Sequence, residues 1–115
     1  MATGSVDTPD YADPKGGTVY TSGTWIVKEG HEDEFARRWQ ESVDKLSLEF
    51  PGITFRLLRN QENPRRFVSV GGPWRNAEQV EKARSLPSYQ ESMAEVERIL
   101  EAGEISTYEL VVEVS

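Results

Sequence analysis

Hydrophobic positions change period several times between Thr18 and Val114, and each change marks an element. Thr18 to Val27 (TVYTSGTWIV) is rich in β-branched and aromatic residues, the composition of a strand. Lys28-Glu29-Gly30 interrupts it. Glu32, Asp33 and Glu34 then place negative charge where the first turn of a helix favours it. Phe35, Trp39, Val43, Leu46 and Phe50 recur at helical spacing and form one apolar stripe, in which Trp39 reads as core. Pro51-Gly52 stops that helix. Ile53 to Asn60 and Arg66 to Gly72 are the second and third strands, joined by a polar hairpin loop over Gln61 to Arg65.

The next helical region carries two start signals. Asn76 with Gln79 has capping-box spacing, and Ser88 with Glu91 repeats it after Pro87. The pattern predicts a short helix over Ala77 to Ser85, a break at Leu86-Pro87, and a longer helix from Tyr89 to Glu101. Tyr89, Met93, Val96 and Leu100 supply the buried face of the longer helix, and Gly103 stops it. In Ile105 to Val114, apolar Tyr108, Leu110, Val112 and Val114 alternate with Thr107, Glu109 and Glu113, which predicts the last strand.

The resulting order is βαββαβ, an α+β ferredoxin-like fold with a four-stranded antiparallel sheet. Its helices cover one sheet face. The other face still carries apolar side chains, and a patch of that kind marks an association surface. A second copy of the same chain, paired face to face about a two-fold axis, is the expected cover.

Composition narrows the class further. A chain of 115 residues fits one domain, taken as residues 18–115. Residues 1–17 are polar, with Pro9, Pro14, Gly16 and Gly17 as breakers. They read as a flexible tail, an arm laid on a neighbouring subunit being the alternative. The net charge of −7 opposes nucleic-acid and anionic-membrane partners. With no cysteine and a single histidine, His31, thiolate sites and multi-histidine metal sites within one chain are excluded. No secretory pattern or bilayer-length apolar run is present, so the cytoplasm is the expected compartment.

Several segments also occur in a recognisable order. Gly30-His31-Glu32-Asp33-Glu34-Phe35, Phe50-Pro51-Gly52, Leu57-Leu58-Arg59, Asn63-Pro64-Arg65-Arg66-Phe67, Trp74 and Leu86-Pro87-Ser88-Tyr89 together resemble antibiotic biosynthesis monooxygenase domains. The resemblance implies a dimeric α/β barrel with a small-molecule pocket between helices and sheet, opening near the end of the third strand. It also implies oxidation of a phenolic, quinol or anthrone-like compound by molecular oxygen, with no cofactor. A non-catalytic dimer that binds a small hydrophobic ligand, or acts as an interaction module, is the alternative. Haem binding or degradation comes third, because this chain lacks the first-strand asparagine and second-helix histidine of haem-degrading relatives. In anthrone-oxidising relatives an asparagine commonly stands four positions before the pocket tryptophan, where this chain has Val70.

No residue is singled out as catalytic. The resemblance makes Trp74 a pocket wall, against the alternative of closing the core beside Gly71-Gly72-Pro73. Trp25 is a second candidate for the pocket, with packing as its alternative. Tyr89 offers a phenol to a substrate oxygen, or simply packs. Arg84, Arg56 and Arg59 offer charge to an enolate, or are solvated. Ser22, Thr24 and Ser69 offer hydroxyls wherever strand alternation turns them inward. His31 opens the first helix and reads as a solvated loop residue.

Overall fold

The computed structural model describes residues 18–115; the expected N-terminal tail, 1–17, lies outside them. The elements are β1 (Val19–Val27), α1 (Glu32–Glu49), β2 (Thr54–Arg59), β3 (Arg66–Trp74), α2 (Ala77–Arg84), α3 (Pro87–Glu97) and β4 (Leu100–Glu109). The four strands form one sheet in the order β2-β3-β1-β4, antiparallel at each pairing. This is the predicted ferredoxin-like arrangement, with the second helical region split in two at Leu86-Pro87.

Register decides which side chains meet the helices. Trp25 lies opposite Phe67 and Gly103, Gly23 opposite Ser69 and Ile105, and Thr21 opposite Gly71 and Thr107. Directly paired residues share a face, so these sit beneath the helices with Phe55 and Leu57 of β2. The alternate set, Ser22, Thr24 and Ile26 with Val68, Val70 and Leu58, lies on the face that no helix among the described residues covers. Leu58 and Tyr108 are 55% and 57% exposed there. Among the described residues, no helix is long and apolar enough to cross a membrane.

The helices form as their sequence signals direct, with one exception. Phe35, Ser42 and Leu46 of α1 are buried, and the Phe50 N–H closes its last turn on the Leu46 carbonyl. α1 packs against α3 on the covered face of the sheet. At the start of α2 the Asn76 side chain accepts from the Gln79 N–H at 2.9 Å. The Gln79 side chain reaches back to the Arg75 N–H at 2.7 Å, one residue before the usual partner of a capping box. The second expected cap, Ser88 with Glu91, does not form. Pro87 takes the first helical turn and Leu86 becomes the N-cap, which leaves Ser88 already inside the helix.

The C-terminal boundary also differs from the reading of Tyr89–Glu101 as helix and Ile105–Val114 as strand. The helix ends at Glu97, and the strand spans Leu100–Glu109 with Gly103 in its middle. The reason is tertiary. β4 pairs along the whole of β1, from Leu100 opposite Val27 to Glu109 opposite Val19. The register with β1 ends at Glu109, and the Leu110 N–H donates to the Thr18 carbonyl at 3.1 Å. Val112 and Val114, expected in this strand, lie beyond its end and are exposed. At its other end β3 runs on through Pro73 to Trp74, which lies opposite Val19 beyond an irregularity in the ladder.

Beneath the helices the core is divided into two clusters. One gathers Val19, Leu46, Phe50, Trp74, Val80 and Ala83. The other gathers Trp25, Val27, Phe35, Phe67, Val96 and Ile99. A well-packed domain of this size would normally merge them. Here they stand apart, and the gap between them is the candidate site.

Candidate functional site

A cavity lies between the two clusters, with about 60 Å³ open to the centres of water-sized spheres. That is room for more than one water molecule. Its floor is the covered sheet face: Thr21 and Trp25 of β1, Phe55 of β2, Ser69 and Gly71 of β3. Its roof is Trp39, Ser42 and Leu46 of α1, Val80 and Ala83 of α2, and Tyr89 and Met93 of α3. Arg84 closes α2 at its side. A wider groove of about 590 Å³ continues outward between α3 and β4, sharing Trp25, Arg84, Tyr89, Met93 and Ile105 with the cavity. The way in is thus beside the edge strand β4, not near the end of the third strand as expected.

The two tryptophans are fixed by their indole N–H groups as well as by packing. Trp74 is 3% exposed and stands edge-on to Phe50 and Phe55, with ring centres 5.6 and 5.9 Å apart. Its Nε1 donates to Thr21 Oγ1 at 3.2 Å, and that hydroxyl donates to the Gly71 carbonyl at 3.3 Å. Trp25 is 5% exposed, packs near Phe35 at 6.1 Å, and donates from Nε1 to Ser69 Oγ at 3.0 Å. Both rings present apolar surface to the cavity, while their polar edges are satisfied by strand hydroxyls.

Two titratable groups remain at the wall. Tyr89 is half-buried, and its phenol has no hydrogen-bond partner among the described residues. Burial raises its pKa above the ordinary value of 10.0, and the nearby Arg84 charge opposes that only in part. The phenol is therefore a proton donor near neutrality. Arg84 lies 4.0 Å from Glu81, a loose ion pair that leaves the guanidinium its remaining donors. Ser42 is fully buried and spends its hydroxyl on the Trp39 carbonyl at 2.7 Å. Among the described residues, no group of three or more histidine, aspartate or glutamate side chains is placed to hold a metal ion.

Five of the six pocket residues anticipated from sequence, Trp74, Trp25, Tyr89, Ser69 and Arg84, are brought together at this cavity. Thr24 is not. It falls one position out of phase with Trp25 and lies on the opposite face, in a shallow groove with Val68 and Ala102. Ser22 borders the cavity. Arg59 stacks over Phe67 at 5.1 Å and pairs with Asp33, and Arg56 lies opposite Val70 on the uncovered face. His31, expected as a solvated loop residue, is partly exposed outside the cavity and pairs with Glu34 at 2.9 Å. Trp39, read as core alone, is half-buried and part of the roof. Thr21 and Ser42 were not anticipated. Their signals were present in the spacing: Thr21 stands four positions before Trp25 on its strand, and Ser42 lies within the helical stripe between Trp39 and Leu46.

Comparisons with known proteins agree with this architecture. The sequence profile of the antibiotic biosynthesis monooxygenase family matches residues 18–95. No curated protein matches the chain by sequence. Among solved structures, an antibiotic biosynthesis monooxygenase is 16% identical, covering 82% of this chain and 99% of its own, with a TM-score of 0.71. A point mutant of SnoaB, a cofactor-independent oxygenase from Streptomyces nogalater, is 15% identical over 85% of this chain and 97% of its own, at 0.74. A conserved protein from Methanosarcina mazei is 15% identical over 87% and 97%, at 0.72. At these identities the structural likeness speaks for the fold alone.

Proposed function

Because this chain belongs to the antibiotic biosynthesis monooxygenase family, we propose that it is a cofactor-independent monooxygenase acting on a small phenolic or quinol-type aromatic compound. It would work as a cytoplasmic homodimer joined through the uncovered sheet faces. The observation that carries the reading is the unpartnered Tyr89 phenol beside Arg84, in a cavity otherwise walled by aromatic and aliphatic side chains. A phenolic substrate entering past β4 loses its hydroxyl proton to water at the mouth. The anion left behind is stabilised by the Arg84 charge and the Tyr89 O–H, both stronger in a space that excludes bulk water.

The substrate anion then passes one electron to dioxygen. The substrate radical and superoxide combine at a ring-system carbon, and protonation with loss of water leaves a carbonyl there. One oxygen atom enters the product and the other leaves as water, so the substrate supplies all four electrons that reduce dioxygen. Oxygen uptake with a panel of quinols and anthrones tests this. The wild-type protein should consume oxygen with at least one of them, and Tyr89→Phe should lower kcat by roughly ten- to a hundredfold. No uptake across the panel would sink the enzyme reading.

One observation favours a second reading, a non-catalytic carrier of a small aromatic ligand. Among the described residues lining the cavity there is no carboxylate or imidazole to accept a proton, and burial holds Tyr89 protonated. Val70, four positions before Trp74, borders the cavity although it is paired in the uncovered register with Ser22 and Arg56, and it has no polar group to offer a substrate. Ligand binding without turnover would select this reading.

A further inference from the structure

The two indole hydrogen bonds in the cavity end differently. Trp74 donates to Thr21, and Thr21 passes its own hydrogen to the Gly71 carbonyl, so that chain is closed. Trp25 donates to Ser69, and there the chain stops: the Ser69 O–H has no acceptor among the described residues. Ser69 is 8% exposed and lines the cavity. A buried hydroxyl left with an unspent hydrogen calls for an explanation. Its oxygen already accepts from the indole, so its hydrogen points away from Trp25 and is free to donate into the cavity, with one lone pair still unused.

The backbone beneath Trp25 is shaped for this arrangement. The indole spreads over two glycines, Gly23 on its own strand and Gly103 directly opposite on β4. A Cβ on Gly103 would stand 2.8 Å from Trp25 Cε3, and one on Gly23 would collide with the other side of the ring and stand 2.8 Å from Ser69 Oγ. Side chains at either position would lift the indole off the sheet into the cavity, or push Ser69 aside.

We infer that Ser69 is a specificity-determining residue: its hydroxyl, set by Trp25 lying across Gly23 and Gly103, donates to an oxygen borne on an aromatic ligand. This rests on the ligand-binding part of the reading above and is independent of turnover. The probes are 1-naphthol and naphthalene, which differ by the one oxygen, with binding measured by equilibrium dialysis in oxygen-free buffer. The wild-type chain should hold 1-naphthol more tightly than naphthalene. Ser69→Ala should weaken 1-naphthol by about tenfold and leave naphthalene unchanged. Gly103→Ala should weaken both, because the lifted indole occupies the space each ring needs, with the circular-dichroism spectrum retained. An unchanged 1-naphthol affinity in Ser69→Ala overturns the inference, as does an equal loss of both compounds, which would make Ser69 a packing residue. A protein that passes these tests yet consumes no oxygen would refute the oxygenase proposal and leave the role of Ser69 standing.

Discussion

Tyr89 shows how position and chemistry separate at the scale of one residue. Its helical spacing reads as a packed tyrosine; the structure puts its body in the roof of the cavity and leaves its phenol without a hydrogen-bond partner among the described residues. Its raised pKa has a consequence for stability. Below the ordinary value of 10.0 the phenol is protonated in folded and unfolded chains alike and contributes no pH dependence. As pH rises past about 10 the unfolded chain releases a proton that the fold retains, so stability falls until the folded phenol also ionises. Tyr89→Phe removes that contribution. Urea midpoints near neutrality and at about pH 11 should converge in the variant relative to wild type, and an identical alkaline loss in both would contradict the assignment. Thr21 and Thr24 carry the complementary lesson. Both are strand hydroxyls near Trp25, and only the parity of their distance from it decides which meets the cavity.

At the level of elements, local signals sufficed wherever the end of an element is set by its own side chains. The start of α2 is the clearest case, because Asn76 and Gln79 satisfy backbone N–H groups that the helix cannot. Asn76→Ala should cost about 1 kcal/mol of folding stability, read as a lower urea midpoint at unchanged slope. A loss indistinguishable from zero would mean that packing of Val80 and Ala83 alone places this helix. The junction of α3 and β4 is the opposite case. Tyr89, Met93, Val96 and Leu100 keep helical spacing, so the sequence offered no stop before Gly103. The chain nevertheless leaves the helix after Glu97, because Leu100 to Glu109 gain a full ladder against β1. Gly103, anticipated as a helix terminator, serves instead as the strand position on which Trp25 rests.

At the scale of the sheet, the described residues cover one face with helices and leave the other uncovered. Leu58, Val68 and Tyr108 are exposed on the bare face, an apolar patch at odds with the charge of the rest of the chain. Under the proposed two-fold pairing, Leu58→Asp with Val68→Asp should convert a dimer to a folded monomer, because each charge would be buried against its own copy. Sedimentation velocity across a concentration series checks this. A wild-type chain that sediments as a monomer, or a double variant that stays dimeric, would remove the sheet face as the interface. The cavity lies on the opposite side of the sheet from these substitutions, so ligand affinity per chain should change little.

The fold class and the order of its elements were determined by the sequence itself, and so was a minority of the cavity wall. Alternation, helical spacing and paired breakers are local properties, and they follow from steric periods that any chain of this pattern obeys. The one-domain ferredoxin-like reading and the choice of Trp25, Trp74, Ser69, Tyr89 and Arg84 rested on those periods and on the family resemblance. Only the tertiary structure decided that the core would divide into two clusters with a space between them. It likewise decided that the entrance would lie beside the last strand, and that one of two tryptophan–hydroxyl pairs would end in an unspent hydrogen. These outcomes depend on which residues from distant strands fall opposite one another, as Trp25 does with Gly103 across 78 positions of chain. Such register is a property of pairing free energies summed over the whole sheet, and no window of sequence contains it.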